Sequence, residues 1–74
     1  MRQFVVYRNP VDFPGRIVVR GFTIGIGVIT PDPAPTYIGE SVYAARQAIR
    51  AIDPGLIQLW PSRDDEPQIV EIWI

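Results

Sequence analysis

The chain contains no cysteine and no histidine, and none of its seven basic residues is lysine; all are arginine. Without cysteine no disulfide staples the fold, and no thiolate serves as nucleophile, redox centre or soft metal ligand. Without histidine the side chain that best moves protons near neutral pH is missing, together with the commonest metal ligand. No serine therefore has an imidazole to activate it, and acid–base work falls to carboxylates. Long hydrophobic runs are also lacking. The first apolar stretch, Phe4 to Tyr7, is cut off by Arg8. That is too short for the core of a signal peptide, and no later run approaches a membrane span. These absences predict a cytoplasmic protein that is not an enzyme, uses no cofactor and no metal, and does not enter a membrane.

Eight acidic residues oppose the seven arginines, for a net charge of −1. Such a balance gives no general attraction to nucleic acid or to acidic lipid. An all-arginine set is what a GC-rich genome produces. It is also what bidentate contacts in an interface require. Seventy-four residues make a single domain, 1–74, which buries about 60–65% of the surface of its unfolded chain. With a hydrophobic content of 47% a packed core is expected, and disorder is not. A thin core without staples or metal favours self-association.

Residues 3–8, QFVVYR, are β-branched and aromatic and stop at Asn9-Pro10, which predicts a first strand. Phe4 and Val6 share one face, Val5 and Tyr7 the other. The turn-rich NPVDFPG leads to a second strand over 16–23, with Ile17 and Val19 inward and Arg16, Val18 and Arg20 on the solvated side. Gly21 is expected at a bulge or bend. Ser41 is a good helix N-cap and Asp53-Pro54-Gly55 a clear stop, so the helix spans 42–51. Val42, Ala45, Ile49 and Ile52 form its apolar stripe with Ala48 alongside; Tyr43, Arg46, Gln47 and Arg50 lie opposite. Residues 36–38 are read as a short strand or a cover for the core. Segments 56–60 and 68–74 read as further strands joined by a polar turn. In the last strand Val70, Ile72 and Ile74 form the unbroken apolar face, expected against the helix, with Ile69, Glu71 and Trp73 on the other. The order β-β-α-β-β predicts an α+β domain with one helix packed on an antiparallel sheet.

The stretch GFTIGIGVITPDPAP, residues 21–35, has the look of a phosphate-binding loop. Gly25 and Gly27 have the first spacing of a dinucleotide fingerprint, but Thr30 stands where the third glycine belongs. Such a loop must open into a helix whose first amides meet the phosphate. Pro31, Pro33 and Pro35 prevent that, since proline has no amide to donate. The stretch reads as a glycine-loosened strand end and then a polyproline-like loop, serving as contact element or spacer.

Three constellations remain. Asp64-Asp65-Glu66 has the oxygen ligands for a hard cation but lacks a spaced pattern, and reads as a solvated turn. Tyr43, Arg46 and Arg50 lie on the exposed helix face and are residue types enriched at binding hot spots. Arginines near a helix C-terminus are also explained by the dipole. Tyr7, Trp60, Trp73 and Val5 are expected on the sheet face away from the helix, as a surface for a partner protein or a second copy.

The chain resembles short uncharacterised proteins of bacterial phages, prophages and mobile elements. The likeness lies in FVVYRNPVDFPGRIVVRGFTIG, PGLIQL and DDEPQIVEIWI. It implies a phage-related origin and supplies no functional motif. By analogy with small phage proteins that bind and inhibit host defences, the working reading is a non-enzymatic protein-interaction module. Its target would be a host defence protein such as a CRISPR effector, as an anti-CRISPR. The alternative is nucleic-acid binding through Arg16, Arg20, Arg46 and Arg50, with stacking on Tyr43 or the tryptophans.

Overall fold

A computed structural model describes every residue except Asp64. The elements are β1 (Arg2–Arg8), β2 (Ile17–Gly25), β3 (Val28–Pro31), β4 (Tyr37–Gly39), α1 (Val42–Ile52), β5 (Gln58–Leu59) and β6 (Ile69–Trp73). The strands form one sheet in the order β3-β2-β1-β6-β5, with β4 paired to β2. Every pairing is antiparallel. The α+β architecture with one helix on an antiparallel sheet is thus what the chain adopts; of the two readings of 36–38 the short strand holds, as β4, and β3 is added to the expected strands.

These two strands answer the question raised by the glycine-rich stretch. Instead of running into a loop, the chain turns back on itself at Ile26-Gly27, and Gly25 pairs with Val28. Gly27 has φ +69°, a left-handed conformation that only glycine adopts at no steric cost. The proline segment is no projecting tip either. It returns along β2, where the Asp32 amide donates to the Gly21 carbonyl at 2.9 Å and the Thr36 amide to the Val19 carbonyl at 2.8 Å. This delivers residues 37–39 to the same edge, as β4.

Gly21 lies in no bulge: pairing of β1 with β2 runs unbroken from Arg2↔Thr23 to Arg8↔Ile17. Its role is close approach. A Cβ there would lie 2.5 Å from an Asp32 carboxylate oxygen and 2.7 Å from the Arg2 guanidinium. The bare backbone makes room for a two-pronged ion pair, Arg2 to Asp32 at 2.8 and 2.7 Å. The same guanidinium sits 4.9 Å from the centre of the Phe4 ring. A bulge does occur, in β6. Val6 pairs with Glu71 but Tyr7 with Ile69, leaving Val70 as the extra residue.

Opposed residues in an antiparallel pair share a face, so the register assigns the sheet's two sides. Phe4, Val6, Ile17 and Val19 face the helix, as expected, and form the core with Ala45, Ile49 and Trp73. Ser41 caps the helix, its hydroxyl oxygen accepting from the Ala44 amide at 3.2 Å. Ile52, expected in the stripe, is exposed in the last helical turn. The last strand is reversed relative to expectation. Trp73 opposes Phe4 and Glu71 opposes Val6, so those two turn to the helix. Ile72 opposes Val5 on the far side. Val70 packs against the core, because the bulge breaks the alternation between Val70 and Glu71.

Two tests follow from this packing. Ile49→Asp places an unpaired charge in the core at a cost of several kcal/mol, so the variant should show no cooperative thermal transition by circular dichroism. The second concerns acid. The hydrogen bond from Arg2 holds the Asp32 carboxyl below its ordinary 3.8, with burial opposing and the Arg2 charge adding to the shift. A depressed folded value means the contribution is complete above 3.8 and is lost as pH falls through the lower folded value. Urea midpoints followed down from pH 5 should fall more steeply for the native chain than for Asp32→Asn.

Candidate functional site

Helix α1 and strand β6 are joined by a buried ionic cluster. The Glu71 side chain is fully buried. Arg46 Nε donates to both its oxygens, at 2.8 and 3.1 Å, and Arg46 Nη2 also donates to Oε2. The Trp73 indole donates to Oε1 at 3.1 Å. Every described buried polar side-chain atom has a partner, as a charge removed from water requires. The hydrogen bond to Glu71 raises the Arg46 guanidinium above its ordinary value, with desolvation opposing and the Glu71 charge adding. Arg50 lies over the other side of the arrangement, 5.5 Å from the Trp73 ring centre, a favourable cation–π distance.

This cluster redistributes the residues expected at a contact surface. Arg46, predicted on the exposed helix face, is turned toward the sheet and engaged. Trp73, predicted on the helix-free face, is 4% exposed in the core, whereas Trp60 is 75% exposed beyond β5. Tyr43 and Arg50 are exposed on the helix. Tyr7 is half-buried on the opposite face of the sheet. Three of the six, Arg46, Arg50 and Trp73, meet at the Glu71 cluster, while Tyr43, Tyr7 and Trp60 lie elsewhere, so the six do not form one contact surface. The arginines named for nucleic-acid contact are largely engaged as well. Arg16 bonds Glu40 at 3.5 Å and Arg20 bonds Asp12.

The face away from the helix is partly covered by the chain itself: Val5 and Val18 at its centre are buried, while Ile29, Ile38 and Leu59 on its outer strands are exposed. Register places Val5 and Tyr7 of β1, Val18, Arg20, Phe22 and Ile24 of β2, and Ile72 of β6 on it. Ile29, Ile38 and Leu59 extend it through the outer strands. Arg20 is the one charged group on this face among the described strand residues, and Asp12 meets its charge. Antiparallel sheets with one solvated side normally alternate apolar and polar residues; this one is apolar on both sides. The signal was present in Phe22 and Ile24, which continue the parity of Val18 and Arg20. Reading that parity as solvated on the strength of two arginines hid it.

At one corner of this face the 9–16 loop forms a cleft of about 230 Å³ bounded by Tyr7, Pro10, Val11, Asp12, Arg20 and Glu66. Burial raises the Tyr7 phenol above 10.0, the charges of Glu66 and Asp12 adding and that of Arg20 opposing, so the hydroxyl keeps its proton. The volume is below the ~300 Å³ at which pockets for drug-sized ligands begin. Of the acidic turn, Asp64 lies outside the described residues, and the Asp65 carboxylate accepts the Ser62 amide at 2.8 Å. No described helix is long and apolar enough to cross a membrane.

No protein-family model, curated protein or solved structure matches this chain.

The buried cluster yields a sharp expectation. Arg46→Met strands the Glu71 charge and should cost about 3 kcal/mol, while Arg46→Met with Glu71→Leu should recover most of the loss, since an apolar pair of similar size is tolerated. Urea unfolding of the two variants beside the native chain measures both numbers. Equal stabilities for the single and double variants would show that the ion pair is not what Glu71 depends on.

Proposed function

We propose that this chain is a non-enzymatic protein-interaction module whose contact surface is the helix-free face of the sheet. One observation carries the reading: on the helix-free side the outer strands leave Ile29, Ile38 and Leu59 67%, 46% and 41% exposed. Contiguous exposed apolar patches on a soluble domain mark interaction sites. The one charge among the described strand residues of this face, Arg20, is already met by Asp12 within the chain. The likeness to phage proteins makes a host defence protein such as a CRISPR effector the first heterologous target to try, with inhibition by direct binding as the mode of action.

Nucleic-acid binding is the weaker reading. Four of the seven arginines, at positions 2, 16, 20 and 46, bond carboxylates of the same chain. A backbone-tracking groove needs cations left available for phosphates.

Site-specific photo-crosslinking separates these readings. A photoreactive residue at Ile38, on the proposed face, should capture a protein, and one at Tyr43, on the helix, should not. Fluorescence anisotropy with single-stranded DNA at low salt should stay flat. Capture from position 43 alone, or salt-sensitive DNA binding, would contradict the proposal.

A further inference from the structure

Resting on that reading, we infer that the cleft beside the 9–16 loop seats one basic side chain, an arginine or lysine of the protein that this surface contacts. Its walls come from separate parts of the chain: Tyr7 of β1, Arg20 of β2, Pro10, Val11 and Asp12 of the loop, and Glu66 ahead of β6. Backbone bonds hold these parts together. The Asn9 amide donates to the Arg16 carbonyl at 2.8 Å, closing the loop, and the Arg8 amide donates to the Gln68 carbonyl at 2.7 Å. Asp12 ties the loop to β2 through Arg20. The fold thus sets the walls of the cleft on fixed backbone.

Charge decides the sign of the occupant. Two carboxylates and one guanidinium border the space. Arg20 and Asp12 bond each other, and Glu66 takes part in none of the ion pairs among the described residues. The cleft therefore carries one negative charge beyond its internal pair, which a cation complements. An anion would meet two carboxylates and a guanidinium already engaged. The Tyr7 phenol feels the same field, for the charge of Glu66 acts on it more strongly than the opposing charge of Arg20. Size and lining then select the kind of cation. The cleft of about 230 Å³ holds the liquid volume of about eight waters at ~30 Å³ each, room for one side-chain end. Pro10, Val11 and the Tyr7 ring offer apolar wall to an aliphatic stem, and Glu66 meets the charged head. That division of stem and head is the one lysine and arginine bring to a surface. Val11 is 91% exposed, so nearly all of its surface is open to such a stem.

An NMR titration of the isotope-labelled chain with the peptide acetyl-Gly-Arg-Gly-amide tests the inference. The amides of Tyr7, Val11 and Gln68 should shift saturably with a Kd of about 10 mM, while those of Tyr43 and Trp60 stay fixed. The same peptide with citrulline for arginine keeps the shape and loses the charge. It should bind about fivefold more weakly, and Glu66→Gln should weaken the arginine peptide by about the same factor, the upper range for an exposed ion pair. Val11→Arg, at the most open wall, places a tethered cation at the mouth and should abolish the shifts with circular dichroism unchanged. Absence of saturation, equal binding of the two peptides, or indifference to both variants overturns the inference. Tighter binding of butylguanidine than of the peptide would assign the cleft to a free small cation and overturn the side-chain source. If the cleft fails while position 38 still captures a protein, the interaction reading survives. Binding in the cleft with no capture at position 38 would keep the seat and overturn the helix-free face as the contact surface.

Discussion

The burial of one carboxylate, Glu71, organises the rest of the molecule. A charge in the core costs several kcal/mol unless it is fully bonded, and Glu71 is satisfied only where Arg46 of the helix and the Trp73 indole converge on it. That requirement fixes which side of β6 faces the helix. It also ties the helix to the sheet at a defined point, beyond what the apolar contacts of Ala45 and Ile49 specify. Because a strand alternates, fixing Glu71 and Trp73 inward sends Ile72 to the opposite side of the sheet, where it is half-buried. The same ionic cluster thus sets which residues of β6 lie on each side of the sheet.

The arginines show the same logic at a second point. Arg2 and Asp32 close over the bare backbone of Gly21, pinning the proline segment to the sheet. From there the chain is delivered to β4 and to the helix. Arg2 and Glu71 on the helix side of the sheet are held in internal pairs, and Arg20 on the opposite side is met by Asp12.

The helix was legible because its signals are local: the Ser41 cap, the stop at Asp53-Pro54-Gly55, and the spacing of Ala45 and Ile49. The four main strands were legible from their β-branched runs. The β2–β3 hairpin was missed because glycine and proline each admit several conformations. Only pairing between Gly25 and Val28 selects one of them. The inversion of β6 has a different cause. Placing Glu71 in water and Ile72 in the core is the correct local choice, and it is overruled by Arg46, which is 25 residues away in sequence. The same distant partner removed Arg46 and Trp73 from the expected contact surface. Tyr7 kept its expected side because nothing in β1 competes with its alternation.

The orientation of β6 is the point on which the core, the ionic cluster and the apolar face all turn, and the two tryptophans report it directly. Amide and side-chain hydrogen exchange followed by NMR distinguishes their indole protons. If the account is right, the Trp73 indole proton exchanges only through global unfolding, at the rate of the most protected β1 amides, while that of Trp60 exchanges freely. A Trp73 indole that exchanges as fast as that of Trp60 would place it in water, and would return Ile72 and Ile74 to the core.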